Sequence, residues 1–224
     1  DEDLAPIIRG LFIPEEGYTH WCKMDFSQIE YRMFAHYSGD NNLVEAYQDR
    51  SADFHAIVGS YLGENIPRKP VKNINFMMLY GGGEDKVIEM LSALELPIKP
   101  KEFIRLYNQQ FPAAKALMKR ISDFAQEKGE VRTILNRRVP FNLWCPKNKS
   151  LNSVNLPYSQ AYRQYGSGIV RAETYKGLNY TLQGSAADLI KKGMVDAYES
   201  GIFNTIGVPL IHVHDELGFS YRPD

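Results

Sequence analysis

A helix predicted over residues 68–80 limits the fold of this chain more than any other segment. Prolines at positions 67 and 70 mark its beginning, because a helix tolerates proline in its first turn and not in its interior. Pro70 should also shift the first helical residue towards Lys72. The three glycines at 81–83 predict its end, since glycine readily adopts the backbone conformations that terminate a helix.

One broad face of this predicted helix carries a residue at every fourth position: Arg68, Lys72, Phe76 and Tyr80. The two cations stand near the N-terminus, where free N–H groups and the helix dipole favour a phosphate. The two rings follow, and they could stack on a sugar or a base. The same spacing also fits an amphipathic core helix with a solvated basic end, and the helix alone does not decide between the two interpretations.

The chain has 224 residues, of which 44% are hydrophobic, and a net charge of -1. This length is enough for one domain, or for one domain with a large insertion. The net charge gives no argument for nucleic acid, but its distribution suits a polyanion as well as an ordinary solvated surface. The basic stretch contains Lys115, Lys119, Arg120, Lys128, Arg132, Arg137, Arg138, Lys147 and Lys149.

Cys22 and Cys145 are too few for a disulfide framework, which favours a reducing compartment. We therefore expect a cytoplasmic protein, in the host cytoplasm if the source is viral. No apolar run approaches the ~18 residues of a membrane span, so no membrane partner is expected. Residues 4–10 and 221–224 resemble the middle of a protein, and we expect a piece of a longer polypeptide.

Two predicted strands deliver acidic residues to their ends. Residues 19–26 read as a strand that ends at Asp25, and Ser27 is placed to cap the next helix with Glu30 three residues on. The closing run over 208–221 also reads as a strand. A straight strand would put Asp215 among apolar side chains, which costs several kcal/mol for a bare carboxylate. Either a tight turn at this position or a bound cation would remove that cost.

The region between these strands is predicted to be mostly helical. Helices are expected at 42–48, 52–61, 84–93, 100–128 with a break near Pro112, 161–177 and 186–200. A small hairpin is predicted over 131–140 with its turn at Asn136, and 141–157 reads as a polar loop. The order of strand, helices and strands predicts an α+β fold with a helical insertion between the parts of a sheet.

Asp25, Asp215 and Glu216 would converge if the two strands are neighbours in one sheet. Close carboxylates repel one another, and divalent cations with oxygen ligands relieve the repulsion. Two such ions about 4 Å apart suit an in-line attack at phosphorus, and Mg²⁺ is the expected metal. The alternative makes Asp25 part of a helix cap and the other two acids a polar hairpin tip.

The sequence resembles the family A DNA polymerases, the polymerase I-like group. Residues 25–32 resemble that family's motif A, residues 68–81 its motif B on the fingers helix, and residues 214–216 its motif C. Residues 183–188, and Arg132 and Thr133 with Arg137 and Arg138, also resemble family segments. The five stretches occur in the family's order and span nearly the whole chain.

The resemblance implies a right-hand polymerase architecture, with an antiparallel palm sheet and a large helical fingers insertion. It implies a discontinuous palm over residues 1–35 and 155–224 and fingers over 36–154. The length of the segment after Phe141 suggests a phage-type branch, and the glycines at 81–83 suggest an altered fingers hinge. A thumb, and an exonuclease domain whose presence is left open, would belong to the same polypeptide, and we expect a monomer.

The resemblance also implies site residues. Asp25, the backbone oxygen of Phe26 and Asp215 would hold two Mg²⁺ ions, with Mn²⁺ as an alternative metal. Asp25, Asp215, Glu216 and Lys72 would be catalytic, with Lys72 as the proton donor to pyrophosphate. The residues that would bind the deoxynucleoside triphosphate are Gln28, Glu30, His55, Arg68, Lys72, Phe76 and Tyr80, with Glu30 crowding the sugar 2′ position. The residues that would bind primer–template DNA are Arg9, Arg132, Arg137, Arg138, Gln183 and His214.

Two other interpretations stay open at this stage. A single-subunit RNA polymerase has the same palm chemistry, but Glu30 and Phe76 argue against it as a sugar gate and a ring that such enzymes lack. A catalytically silent polymerase-like module could bind DNA for assembly. Asp25 and Asp215 argue against that interpretation, because a binding protein has no use for two repelling acids.

Overall fold

The computed structural model describes residues 4–49, 53–62, 68–80, 84–93, 98–148, 150 and 152–223, without the side chains of residues 5, 9, 61, 62 and 114. It combines helices with antiparallel sheets, as the predicted α+β class requires. The chain divides into two compact units, Asp1–Ile29 with Ala186–Asp224, and Glu30–Ser185. The boundaries predicted for palm and fingers lie elsewhere, at 35 and 155, and the assignment of ranges to those two parts stays a prediction.

The first unit is built on a three-stranded antiparallel sheet with the order β1–β8–β7. The strands are β1 (His20–Asp25), β7 (Ile211–Val213) and β8 (Glu216–Tyr221). Its helices are α1 (Leu4–Gly10), the C-terminal part of α10 (Gly177–Glu199) and the short α11 (Phe203–Ile206). The predicted strand over 19–26 is present, and the closing run over 208–221 forms a hairpin, one of the two arrangements left open for Asp215.

A small apolar cluster packs α10 against this sheet and against Ile29, which lies four residues after the end of β1. Ile29, Ala186 and Ile190 are buried, and Leu217 on β8 packs against them together with Leu189 and Met194. The burial of Ile190 and Ile29, at 2% and 6% exposure, removes apolar surface from water, at roughly 25 cal/mol per Å². This packing supports the sheet behind the ends of β1 and β8.

The second unit is mainly helical. Its helices are α2 (Ile29–Ser38, from Glu30 onward), α3 (Asn41–Ala46), α4 (Phe54–Leu62), α5 (Arg68–Leu79), α6 (Glu84–Ser92), α7 (Pro100–Gln110), α8 (Pro112–Lys128), α9 (Tyr158–Tyr165) and the N-terminal part of α10. A single turn of 3-10 helix covers Thr174–Lys176. Among the described residues, no helix has the length and apolar character needed to span a membrane.

Large apolar side chains form one core in this unit. Those with almost no exposure include Phe34, Leu43, Phe54, Val58, Ile74, Leu79, Leu91, Phe103, Leu117 and Leu182. They come from every helix between α2 and α8 and from α10, which explains why short helices with little intrinsic stability are ordered here.

Two small sheets complete the second unit. β2 (Glu130–Arg132) pairs with β3 (Arg138–Pro140), and the turn between them includes Asn136 at φ 65°. The second sheet has the order β5–β4–β6 and consists of β4 (Leu143–Pro146), β5 (Leu156–Pro157) and β6 (Ile169–Arg171). The predicted hairpin is therefore confirmed, whereas the segment predicted as a loop over 141–157 contains two strands.

Three other sequence predictions are corrected by the structure. Helix α5 begins at Arg68 and not near Lys72, because Pro70 occupies the first turn, where its missing N–H needs no helical acceptor. Residues 161–177 form only the end of a helix, a strand and a 3-10 turn. Helix α10 begins at Gly177, nine residues before the predicted start at Ala186. The glycines at 81–83, predicted to end α5, lie outside the described residues.

Gly184 and Gly193 lie within the same helix, α10, and predict opposite effects of the same substitution. A Cβ atom at Gly184 would stand 2.6 Å from Cγ2 of the buried Thr133, whereas at Gly193 it would meet only Phe26 Cζ at 3.9 Å. We expect Gly184→Ala to destabilise the fold by about 1–2 kcal/mol, because the overlap outweighs the helix propensity of alanine.

Gly193→Ala is the matched control, and it should stabilise the fold by about 0.5–1 kcal/mol through helix propensity alone. Urea unfolding of both variants, followed by circular dichroism, measures the two effects. Equal stabilisation by both substitutions would contradict the close packing of α10 on the turn after β2.

Candidate active site

The acidic end of the sheet is defined here as Asp25, Phe26, Asp215 and Glu216. Asp25 is the last residue of β1 and pairs with Glu216, the first residue of β8. One residue further on, the N–H of Phe26 donates to the carbonyl oxygen of Asp215 over 3.1 Å. Main-chain bonds therefore bring together acids that are 190 positions apart in the sequence.

A tight turn places Asp215. His214 has φ 55°, and residues 214 and 215 connect β7 to β8 as the turn of a hairpin. The ring nitrogen Nε2 of His212 lies 2.7 Å from the carbonyl oxygen of His214, which helps to hold this conformation. The turn confirms one of the two solutions predicted for Asp215, because the residue is no longer part of a straight strand. A role of His214 in binding DNA stays a prediction.

Glu216 already has a cationic partner. Nζ of Lys23 lies 3.0 Å from Oε1 of Glu216, and Lys23 stands two residues before Asp25 on β1. Both side chains are partly exposed, so the pair contributes little to stability. The pair does balance the charge of Glu216 within the protein. Sequence reasoning missed Lys23, although its period-2 spacing from Asp25 indicated the same face of the strand.

The donor atoms at the acidic end suit a hard divalent cation. Within the described part of the chain, no group of three or more His, Cys, Asp or Glu side chains is arranged to hold a metal ion. Two carboxylates, Asp25 and Asp215, and one main-chain carbonyl, Phe26, are nevertheless a set that Mg²⁺ accepts, because it completes its shell with phosphates and water. Asp25 is exposed and Asp215 half-buried, so both remain accessible to such ligands.

The other predicted nucleotide-binding residues, apart from Gln28, lie in the second unit. Arg68 at the start of α5 forms an ion pair with Asp53, with 2.9 Å between Nε and Oδ2. Asp53 also accepts the N–H of His55 over 2.8 Å and so caps α4. Burial by itself would raise the pKa of Asp53. The hydrogen bonds and charges of Arg68 and His55 together outweigh this effect, so the pKa is lowered overall. Sequence reasoning missed Asp53 because the helix was predicted to begin before it.

The predicted face of α5 is confirmed in its second half. The rings of Phe76 and Tyr80 stack with their centroids 5.6 Å apart, and Nζ of Lys72 lies 5.6 Å from the centre of the Phe76 ring. Tyr31 on α2 packs against Phe76 from the core side, at 5.3 Å between centroids. Lys72 is exposed and both rings are half-buried, so the face has a cationic end and an aromatic end.

Three predicted residues form what we call the Glu30 network. The hydroxyl of Tyr80 donates to Oε2 of Glu30, and it is also hydrogen-bonded to the side chain of Gln183. Burial and the neighbouring Glu30 raise the pKa of Tyr80 well above its usual value, so the hydroxyl keeps its proton. The structure thus joins the predicted sugar gate Glu30, the predicted stacking ring of Tyr80 and the predicted DNA-binding residue Gln183.

His55 is buried, at 3% exposure, and its Nδ1 lies 3.0 Å from Nδ2 of Asn75. Tyr31 and Phe76 contribute ring contacts, at 4.9 and 6.1 Å between centroids. Burial lowers the pKa of His55 to about 4, with smaller contributions from Arg68 and Lys72, while Asp53 opposes them. His55 is therefore neutral near pH 7, and a direct charge interaction with a phosphate is not what its position favours.

This burial of His55 makes the stability of the fold dependent on pH. The unfolded chain binds a proton at His55 near pH 6.5, the folded chain only near 4, so stability is lost as the pH falls through this window. Between pH 7 and 4, we expect the free energy of unfolding of the parent to fall by as much as about 3 kcal/mol more than that of His55→Gln, which lacks the imidazole. Urea unfolding at each pH measures this, with His36→Gln, an exposed position on α2, as the control.

Three of the four predicted DNA-binding arginines lie around the β2–β3 hairpin. Arg132 and Arg138 both form ion pairs with Glu130, and the hydrogen bonds from Arg132 and then Arg138 lower the pKa of Glu130. Arg137 donates from Nη2 to the carbonyl oxygen of Gly184 over 3.0 Å. The three arginines therefore stabilise the hairpin and its contact with α10, and DNA binding by them stays a prediction.

A further contact fixes the hairpin on α10. Oγ of the buried Ser185 accepts the N–H of Ile134 over 2.9 Å and pairs with the hydroxyl of Tyr37 over 2.8 Å. The hairpin turn consequently lies against the residues next to Gln183. Gln28 precedes α2 at φ 52°, and Arg9 lies in α1 with its side chain outside the described residues. Their roles as ligands of nucleotide and DNA stay predictions.

The acidic end of the first sheet suits divalent cations, and the cationic and aromatic face of α5 suits a phosphate and a base, so each unit by itself offers groups that suit nucleotides. The family model described as DNA polymerase family A matches residues 2–224. The chain therefore belongs to DNA polymerase family A, and the predicted family is confirmed.

Several characterised relatives are similar to most of this chain. The thermostable DNA polymerase I of Thermus aquaticus is 30% identical over 96% of the chain, and the DNA polymerase I of Helicobacter pylori is 32% identical over 95%. A DNA polymerase of Mycobacterium phage L5 is 26% identical over 94% of the chain. The chain spans only 24%, 22% and 29% of the lengths of these three relatives. A phage origin stays a prediction.

One solved structure is similar in fold as well as in sequence. It is the POL domain of Pol1 from M. smegmatis in complex with DNA primer–template and dNTP. The similarity has a TM-score of 0.73 and 29% identity, and it covers 96% of this chain and 36% of that one. This match confirms the predicted fold class.

Proposed function

We propose that this chain carries out template-directed DNA synthesis, adding a deoxynucleotide to a primer 3′-OH with release of pyrophosphate. The observation that supports this most is the hydrogen bond from Phe26 N–H to Asp215, which holds two acid-bearing segments side by side. Family membership and the similarity to a polymerase in complex with primer–template and dNTP agree with it.

Asp25, Asp215 and the carbonyl oxygen of Phe26 would hold the divalent metal ions, with Mg²⁺ as the physiological choice and Mn²⁺ as a substitute. The metal ions supply charge neutralisation at the transferring phosphoryl group and lower the pKa of the attacking hydroxyl. The protein contributes the main-chain hydrogen bond that already holds the two acid-bearing segments side by side. Glu216, balanced by Lys23, would have a supporting role.

The residues of α5 would bind the triphosphate. Arg68 and Lys72 offer cations on its first two turns, and Nζ of Lys72 would give a proton to the departing pyrophosphate. The exposed Arg68 would exchange its half-buried partner Asp53 for a phosphate at little cost, since ion pairs near the surface contribute below about 1 kcal/mol. Phe76 would pack on the incoming base and sugar. Glu30, held by Tyr80, would exclude a 2′-hydroxyl.

Primer extension tests the proposal. The protein is held in excess over a primer–template, in low salt, so that weak DNA binding does not limit the rate. We expect Mg²⁺-dependent addition of the nucleotide that the template specifies, with loss of activity in EDTA and recovery on adding Mg²⁺. DNA binding without extension under these conditions would favour the alternative of a silent DNA-binding module.

A further inference from the structure

A long basic segment follows α8. Residues 131–172 contain no Asp or Glu, but they contain Arg132, Arg137, Arg138, Lys147, Lys149, Arg163 and Arg171. Glu130, just outside the segment, pairs with Arg132 and Arg138, but the segment itself supplies no acid, in a chain whose net charge is -1. Because acids are absent along its whole length, the segment complements a polyanion.

The same segment presents what we call the tyrosine ladder, formed by Trp144, Tyr158 and Tyr162. Tyr158 and Tyr162 stand one helical turn apart on α9, and their rings stack with 6.1 Å between centroids and 29° between planes. Trp144 on β4 meets Tyr158 edge-on at 5.1 Å. Tyr158 is 55% exposed and Tyr162 is 52% exposed, so the ladder has free ring surface.

The base of the ladder is rigidly held. The guanidinium of Arg171 lies 4.7 Å from the centre of the Trp144 ring and donates to the carbonyl oxygens of Phe141 and Gln126 over 3.0 and 3.2 Å. The hydroxyl of Tyr165, at the end of α9, bonds to both the N–H and the carbonyl oxygen of Val154. Arg171 and Tyr165 thus have structural roles, because their contacts hold the segments that carry the exposed rings.

Two exposed cations belong to the same segment as the exposed rings. Arg163 follows Tyr162 on α9, and Lys147 follows β4 directly, with its N–H bonded to Gly168. Stacking surfaces and exposed cations within one segment match a strand whose bases are unpaired, since each base offers a π-face and each nucleotide a phosphate. A duplex conceals its base faces and would use only the cations.

We propose that the tyrosine ladder is a binding site for single-stranded DNA, separate from the acidic end of the first sheet. Bases of the unpaired strand stack on Tyr158 and Tyr162, while Arg163 and Lys147 neutralise adjacent phosphates. About half of each ring remains exposed and is therefore available for stacking. The site does not depend on the proposed polymerase activity, because it needs neither metal nor triphosphate.

Fluorescence anisotropy with a labelled oligothymidylate tests this site, in EDTA and without nucleotides. We expect the double variant Tyr158→Leu with Tyr162→Leu, which retains apolar volume but no ring, to bind about tenfold more weakly or worse. Tyr158→Phe with Tyr162→Phe keeps the π-faces and should bind like the parent. Tyr198→Ala, at a 76% exposed tyrosine on α10, is the matched control and should also bind like the parent.

A blunt duplex of the same length completes the test. Its affinity should change less than about threefold in the leucine variant, because stacking on paired bases is not available. Unchanged binding of the oligothymidylate by the leucine variant would overturn the proposal. Equal losses for single strand and duplex would also overturn it, since they would indicate a general loss of charge contacts or of folding.

Discussion

Asp215→Asn is expected to reduce the rate of primer extension by roughly 10³-fold or more, about 4 kcal/mol in the barrier. The substitution keeps the size of the side chain and removes the charge that would hold a divalent metal. The main-chain bond between Phe26 and Asp215 does not involve the side chain, so the hairpin should keep its geometry. The loss would therefore report on charge and not on folding. Single-turnover extension with Mg²⁺ measures it.

Two further variants make the Asp215 experiment specific. Asp196→Asn, at an exposed residue on α10 that pairs with Lys192, is the matched control and should extend the primer at the parental rate. Glu216→Gln should lose less than about tenfold, because Lys23 already balances its charge. Duplex binding should survive in all three variants. Equal extension by the parent and Asp215→Asn would refute a metal-dependent role for this acid.

Glu30→Ala is expected to give the second large effect, on the choice of sugar. The hydrogen bond from Tyr80 holds the Glu30 carboxylate in one position, and this fixed group would occupy the space of a 2′-hydroxyl. Removing it should lower the preference for deoxynucleotides over ribonucleotides by roughly 100-fold, about 2.7 kcal/mol. The ratio of kcat/KM for the matching dNTP and rNTP measures this change.

The network gives a graded control for the Glu30 prediction. Tyr80→Phe keeps Glu30 but removes its hydrogen bond, so it should lower the sugar preference by only about tenfold. Glu45→Ala, at an exposed position on α3, should leave the preference unchanged. A parental preference in Glu30→Ala would show that the sugar is selected elsewhere.

The hairpin at Asp215 was predictable because it follows from one physical conflict. A carboxylate at an apolar position of a strand is costly, so a turn or a cation had to be present, and His214 at φ 55° supplies the turn. Helix α5 was predictable for a similar reason, since proline and glycine limit where a helix can begin and end. The start of α5 was misplaced because Pro70 is harmless anywhere in the first turn.

Other parts of the fold carry little signal in the sequence. Strands β4, β5 and β6 are two to four residues long, too short for an alternating pattern to be visible. Gly184 interrupts the apolar pattern of α10, so the first turns of this helix were not predicted. The structure shows that glycine is needed there for close packing. The hydrogen bond between Glu30 and Tyr80 joins residues 50 positions apart, and only the tertiary structure reveals it.

The pairing of β1 with β8 also has a consequence for sequence variation. The separation of the two acids depends on ladder register, in which Asp25 opposes Glu216 and Met24 opposes Leu217. Residues along these strands can be substituted as long as the alternation of apolar and polar side chains is kept. A one-residue insertion or deletion would instead move the following side chains to the opposite face of the sheet. Selection should therefore tolerate exchanges along both strands and reject changes in their length.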